Sequence, residues 1–370
     1  MKLYNWQQSD WPNFRFDLQG LYVPLLAINV RMGFIGGQFS HLQENVKGET
    51  IIHFMVMEAI KTSAIEGEKI NLEDVKSSIK NKLGLNAKPA LILDKRAPGI
   101  AKLMLEVNDN FAQPLSAKML FDWHKLLVNS FSSNVRVGGW RIDSEPMQII
   151  SGKIGNPEVF FEAPPANIVP QEMQKFIEWF NSSKRDFGSA NQFPAIRAAI
   201  THLYFESIHP FDDGNGRIGR ALAEKALSQG FGYPVILSLS TAIESDKKAY
   251  YDALHLASVS NEITPWLIYF LNIILQAQDI TEKQINFVLQ KNIFLEKYKP
   301  MLNERELKVI HRMLNEGIKG FKGGMSAKKY VSIANTSKAT ATRDLHHLVA
   351  INAFIKTGSG RNVKYQLNFN

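Results

Sequence analysis

The chain has 370 residues, 45% hydrophobic and 21% charged, the balance of a globular protein long enough for two or three domains. Cysteine is absent, which excludes disulfides, thiolate catalysis and cysteine-ligated zinc and fits a reducing compartment. The net charge of +8 sits at one end: residues 301–370 hold 12 Lys+Arg against 4 Asp+Glu, so residues 1–300, with 31 of each, sum to zero, and attraction for nucleic acid is expected from the tail alone.

The opening residues, Met1 to Gln8, lack the apolar run of a signal peptide, and no 18-residue apolar stretch follows. The expectation is a cytoplasmic chain with no membrane contact. The first fifty residues read as mixed, with Trp6, Trp11, Pro12 and Pro24. From about Glu49 to Glu66, Ile52, Met55, Val56, Ala59, Ile60 and Ser63 form one helical stripe, closed by Gly67. Asn71 caps a second predicted helix over Leu72–Lys82. Residues 98–187 hold two or three helices around a predicted hairpin, Met147–Ile150 and Val159–Phe161, with Ser151–Pro157 as its turn.

A helix is expected from Pro194, after Asn191, to Ser207, and a second from Gly216 to Ser228, ended by Gly230. More helices are expected at 246–259, 264–277 and 280–297. The tail reads as helices near 303–316, 326–334 and 337–350, then extended runs at 353–356 and 362–367, the order of a winged helix. The fold class is mainly α: an N-terminal helical module (1–97), a core with a β-hairpin flap (98–277), a linker helix (278–300) and a winged-helix domain (301–370).

Between the two central helices lies His209-Pro210-Phe211-Asp212-Asp213-Gly214-Asn215-Gly216-Arg217-Ile218-Gly219-Arg220. The backbone N–H groups of a Gly-Asn-Gly turn can converge on an anion, and a helix beginning near Gly216 adds its free amides and dipole. Arg217 and Arg220, three apart, can face that anion together and donate in pairs to phosphate oxygens. Asp213 offers a hard oxygen ligand suited to Mg²⁺ on phosphates, and His209 can accept a proton from a hydroxyl. Taken singly, each of these residues is more often structural; their combination at this spacing points to phosphate-centred transfer.

The run closely resembles the Fic family motif, His-x-Phe-x-Asp/Glu-Gly-Asn-Gly-Arg-x-x-Arg, at every defining position. The resemblance extends through Gly139-Trp140-Arg141, the hairpin, Pro164-Pro165, Trp179-Phe180-Asn181 and Thr264-Pro265-Trp266. It implies adenylyl transfer from ATP to a Ser, Thr or Tyr of a target protein or of the chain itself. In that reading His209 is the base and Asp213 holds Mg²⁺. Gly214, Asn215, Gly216 and Arg217 cradle the phosphates, and Arg220 meets the γ phosphate. Phe211 anchors the loop in the core. The hairpin around Gln148, Ile149, Ile150, Ser151 and Gly152 would clamp the target segment by strand pairing. Tyr250 and Tyr251 resemble the family's aromatic pair beside adenine, although a Tyr-Tyr on a helix is more often core. Ser258 stands where some relatives carry an Asn that touches the nucleotide.

Thr62-Ser63-Ala64-Ile65-Glu66-Gly67 resembles the family's inhibitory Ser/Thr-x-x-x-Glu-Gly/Asn motif, implying that Glu66 pairs with Arg220 and blocks the γ phosphate. The same glutamate could position water for the reverse reaction, removing AMP. In the tail, Ser337–Leu345 reads as a recognition helix, with Lys338, Thr340, Thr342 and Arg343 toward DNA and Arg361 at the wing tip. A protein-interaction module remains the alternative there, as does a DNA-binding regulator whose core senses nucleotide. The expected partners are ATP, a protein substrate, DNA and a second copy of the chain.

Overall fold

A computed structural model describes residues 3–86, 88–128, 135–143, 145–153, 156–183 and 193–369, without the side chains of 150–153, 156–158 and 361. Among the described residues the chain is mostly helical, with two small antiparallel sheets. It divides into two units, Met1–Gly37 with Lys47–Thr281, and Gln38–Val46 with Glu282–Asn370. The N-terminal module and the core expected as separate parts thus belong to one unit.

The first unit opens with α1 (Tyr22–Ser40), a helix within the stretch expected to be irregular. Pro24 falls in its first turn, where a proline sacrifices no helical hydrogen bond. Leu25, Ile28, Met32 and Ile35 line its buried face. Its length and composition would also suffice to cross a membrane, contrary to the expectation from the sequence, but Leu25, Ile28 and Met32 belong to the core of the unit. Helix α2 (Glu44–Ile65) starts five residues before the predicted Glu49, and α3 (Leu72–Lys82) is capped as expected, Asp74 N donating to Asn71 Oδ1. Then come α4 (Ala97–Asp109), α5 (Ala117–Leu127), the hairpin β1 (Gln148–Lys153) and β2 (Asn156–Glu162), and α6 (Val169–Ser182). The hairpin register runs from Gln148 opposite Glu162 to Lys153 opposite Asn156. The strands therefore absorb most of the predicted turn, because strand pairing continues to the tip. Ile154 and Gly155 lie outside the described residues.

The centre is the pair α7 (Pro194–Ile208) and α8 (Asn215–Phe231). Helix α7 buries every residue except Pro194 and Glu206, the polar Arg197, Thr201 and His202 included. Gly230 does not end α8; Gly232 does, in the left-handed region at φ 83°. Gly230 is glycine for another reason: a Cβ there would stand 2.5 Å from Pro194 Cβ, so it lets the start of α7 approach. Helix α9 (Leu239–Ser245), unforeseen, and α10 (Lys247–Ala257) follow. The two helices expected at 264–277 and 280–297 are one, α11 (Thr264–Tyr298), since neither Gly nor Pro interrupts it beyond the first turn.

In the second unit, α12 (Glu304–Leu314), α13 (Ala327–Ala334), α14 (Lys338–Ala350), β3 (Phe354–Thr357) and β4 (Lys364–Leu367) enclose Val309, Ile310, Met313, Tyr330, Leu345, Leu348 and Phe354. Met325 bridges Tyr365 beside the hairpin. Asn303, Ser326 and Ser337 cap the three helices, each accepting from backbone N–H groups of the first turn. Asp344, buried, accepts from Tyr330 Oη at 3.0 Å and pairs with Arg305 at 3.1 Å.

Candidate active site

His209 ends α7 in the left-handed region, φ 49° and ψ 62°, a conformation that costs a residue with a β-carbon. Two backbone contacts hold it there: Arg141 Nε donates to His209 O at 2.8 Å, and Arg141 N donates to Pro210 O at 3.0 Å. The Arg141 guanidinium also donates to Pro164 O, and burial holds it below the usual arginine range. The turn re-enters a helix at Gly214, φ 85°, where left-handed geometry favours glycine.

Asn215 ties the loop shut. Phe211 N donates to its Oδ1 at 3.0 Å, and its Nδ2 donates to Phe211 O at 2.7 Å. Phe211 is fully buried, as expected of an anchor, and stacks on His124 at 4.2 Å between centroids and 8° between planes. His124, also fully buried, uses both ring nitrogens: Gly138 N donates to Nδ1 at 3.0 Å, and Nε2 lies 3.1 Å from Asp213 O. Since a carbonyl only accepts, the ring carries its proton on Nε2. Burial lowers its pKa, consistent with a neutral imidazole.

The loop, the amino end of α8 and the hairpin surround one cavity of about 280 Å³. Its walls include His209, Asp213, Gly214–Gly216, Glu66, Glu206, Tyr250, Tyr251, Ser258, Ile149 and Phe160. The structure therefore brings Gly214–Gly216 of the predicted cradle together with the residues predicted for base, metal, brake and aromatic pair, while Arg217 and Arg220 are not among the walls of this cavity. Asp213 is 58% exposed in its side chain, with Oδ1 accepting from Gly214 N at 2.7 Å. One carboxylate at the cavity mouth suits Mg²⁺ that takes its remaining ligands from phosphates and water. Among the described residues no group of three or more His, Asp or Glu forms a metal cage.

Arg220 is buried and engaged by α2. Its Nε donates to Thr62 Oγ1 at 2.7 Å, and its Nη2 donates to Thr62 O at 3.0 Å and to Glu66 Oε1 at 2.6 Å. Burial disfavours its charge, but the carboxylates around it, Glu66 first among them, outweigh burial and raise its pKa. Arg217 is likewise occupied, by Glu68 Oε1 at 3.0 Å and Asp213 Oδ2 at 3.2 Å. Both arginines assigned to phosphates hold carboxylates here.

Tyr250 is buried, its hydroxyl 2.8 Å from His202 Nε2, so its packing role and its place in the cavity wall coexist. Tyr251 Oη donates to Ile65 O at 3.4 Å. Ser258 Oγ donates to His255 O at 2.8 Å, so its hydroxyl proton is spent locally. Of the flap, Ile149 reaches the cavity and Gln148 Nε2 donates to Glu162 Oε2; the side chains of Ile150 and Ser151 lie outside the described residues, and Gly152 pairs with Pro157. In the second unit Lys338, Thr342 and Arg343 are exposed on α14, with Thr340 half-buried; the Arg361 side chain lies outside the described residues.

Sequence reasoning missed Glu68, His124 and Glu206. Glu68 lies 149 positions from its arginine and His124 lies 89 from its carbonyl, so no local spacing marks either. Glu206 did carry a signal, a lone carboxylate three residues before His209 on a mostly apolar helix.

Residues 114–227 match the model of the Fic/DOC family, and residues 4–85 match a domain of unknown function, DUF4172. The protein adenylyltransferase Fic of Drosophila willistoni is 32% identical over 134 residues, 36% of this chain and 24% of that protein. The protein adenylyltransferase fic-1 of Caenorhabditis briggsae is 30% identical over 130 residues, 34% of this chain and 23% of that protein. The chain thus spans about a quarter of the length of the curated relatives it matches. Among solved structures, a Fic family protein from Desulfovibrio desulfuricans G20 superposes with a TM-score of 0.53 at 20% identity, over 93% of this chain and 95% of that one. A Fic domain containing signaling protein from Bacteroides thetaiotaomicron VPI-5482 gives 0.51 at 17% identity, over 71% of this chain and 97% of that one. These two share the fold.

Proposed function

We propose that this chain, in which residues 114–227 are a Fic/DOC-family domain, transfers AMP from ATP to a Ser, Thr or Tyr hydroxyl of a protein and is restrained by Glu66. One observation carries the reading: His209 and the amino end of α8 open onto the same cavity, while Arg220 beside it is bound to Glu66 at 2.6 Å. The hydroxyl oxygen attacks the α phosphorus, the bond to pyrophosphate breaks, and the hydroxyl proton passes to His209. Charge grows on the leaving pyrophosphate, toward Arg217 and the N–H groups at the amino end of α8. Mg²⁺ at Asp213 would neutralise phosphate charge. Glu66 competes with the γ phosphate for Arg220, because the same guanidinium donors cannot serve both anions at full strength.

The test is incubation of the full chain with ATP labelled at the α phosphate and Mg²⁺, followed by mass spectrometry for added AMP on itself and on lysate proteins. Glu66→Gly is expected to label strongly. Adding His209→Ala to it is expected to abolish label while ATP still binds. Absence of label from Glu66→Gly would overturn the reading.

A second reading, removal of AMP from a modified protein, is favoured by the part-exposed Glu66 carboxylate in the wall of the same cavity as His209. Release of AMP from an adenylylated target with Mg²⁺ and no ATP would select it. For the second unit we propose a winged helix that binds DNA through α14, supported by its exposed Lys338, Thr342 and Arg343 and by the local charge of +8. Binding that weakens steeply with salt is expected; no duplex shift at low salt favours the protein-interaction alternative.

A further inference from the structure

We propose that Glu206 and His209 form a carboxylate–imidazole dyad, in which Glu206 holds the proton on His209 Nδ1 and leaves Nε2 as the base. The proposal deepens the transfer reading and rests on it.

Glu206 precedes His209 by three residues, so both lie on one face at the carboxyl end of α7. Its Oε2 stands 3.6 Å from His209 Nδ1. That separation is just beyond hydrogen-bond reach, and among the described residues neither Nδ1 nor the second carboxylate oxygen, Oε1, has a hydrogen-bond partner. Both side chains are only 11% exposed, and both line the cavity. A buried carboxylate without a partner is costly, so a nearby N–H is its natural complement. Burial alone would push the Glu206 carboxyl up, yet the adjacent His209 imidazole and the fields of His202 and Arg220 hold it below the usual range.

The neighbouring helix is shaped to admit this carboxylate. A Cβ on Gly219 of α8 would stand 2.5 Å from Glu206 Oε1 and 3.1 Å from His202 Nδ1. Glycine at 219 thus has a steric reason separate from the phosphate cradle. Catalytic contacts of this kind are often long without substrate and shorten when it binds.

The logic is that of any base oriented by an acid. An imidazole with its proton on Nε2 cannot accept there, and a fixed Nδ1–H removes that fault. As the hydroxyl proton reaches Nε2, the developing imidazolium faces an anion already in place. Glu206 does not touch the reacting atoms; it is a positioning residue.

The tautomer can be read directly by ¹⁵N–¹H correlation spectra of the full chain labelled at histidine, with His209→Ala to assign the signal. At a pH where His209 is neutral, the wild type is expected to show Nδ1–H. Glu206→Leu is expected to shift the population to Nε2–H. Glu206→Gln keeps an accepting oxygen at the same reach and is expected to retain mostly Nδ1–H. In the Glu66→Gly background, Glu206→Leu should lower kcat roughly 100-fold with KM for ATP little changed, and Glu206→Gln should recover at least about a tenth of the parent rate. An unchanged His209 tautomer in Glu206→Leu, or a loss confined to KM, would overturn the dyad. A tautomer that responds in a protein that never transfers AMP would uphold the dyad and remove the transfer reading instead.

Discussion

Glu66 occupies the space above Gly216: a Cβ on Gly216 would stand 2.2 Å from Glu66 Oε1 and 3.0 Å from an Arg220 nitrogen. The carboxylate that follows α2 therefore sits against the amino end of α8, where the helix dipole and first-turn N–H groups favour an anion. On the proposed reading, Glu66 and a phosphate would compete for these donors and for Arg220.

Glu66→Gly should raise AMP incorporation by at least about tenfold, since the Arg220 pair and the occupied cradle are both released. The same change should lower stability by about 1–3 kcal/mol, because buried Arg220 keeps Thr62 but loses its anion. Radiolabel uptake and chemical denaturation measure the two effects. Equal uptake by mutant and wild type would discard the brake.

Glu68→Ala should leave Arg217 to Asp213 alone and give a smaller gain, about two- to fivefold, since Glu68 at 3.0 Å holds its arginine less firmly than Glu66 at 2.6 Å. If Glu68 restrains through Arg217, the gain should shrink as salt rises, which the same label assay at several ionic strengths can show. A gain that ignores salt would assign Glu68 another role.

Asn215→Ala should cost about 2–4 kcal/mol, because it strips both buried hydrogen bonds that close the loop on Phe211. Transfer should fall with it even below the melting temperature, as His209 and the cradle lose their fixed separation. Retention of full turnover by a destabilised protein would show that the loop holds its shape without the asparagine.

Glu224→Gln should stabilise the protein at alkaline pH and not at acid pH. Burial pushes the Glu224 carboxyl well above its ordinary value, and the neighbouring Glu58 pushes it further. Glu58 itself is buried among donors, with Ser238 Oγ at 2.9 Å and Ser240 N at 3.0 Å. The unfolded chain releases its Glu224 proton near pH ~4.3, before the folded chain does, so ionisation favours unfolding above that pH. Removing the charge lifts Tm at pH ~8, and the gain disappears near pH ~4, below both values. Thermal melts at the two pH values are the measurement; a gain equal at both would mean that the introduced amide packs better rather than that a charge was removed.

Much of the site was legible before any fold was known. The motif loop and its two flanking helices follow from local spacing, because they lie within a few turns of one another, whereas the meeting of Glu66 with Arg220, 154 positions apart, was implied only by the family resemblance. The Asn71 cap was readable from local spacing too. Element limits were less so. Gly230 looked like a helix stop, but the glycine serves the approach of Pro194, which lies in the preceding helix. The first fifty residues hid α1 behind a proline that a first helical turn tolerates.

What the sequence determined by itself is the chemistry: which groups can accept a proton, hold a cation and bind phosphate, and that they cluster around one bend. Only the tertiary structure decided that Arg217 is held by Glu68, that His124 braces the loop from 89 positions away, and that the Glu206 carboxylate is left facing His209. Those relations arise from helices packing face to face, and nothing in local spacing encodes which distant side chain fills a given gap.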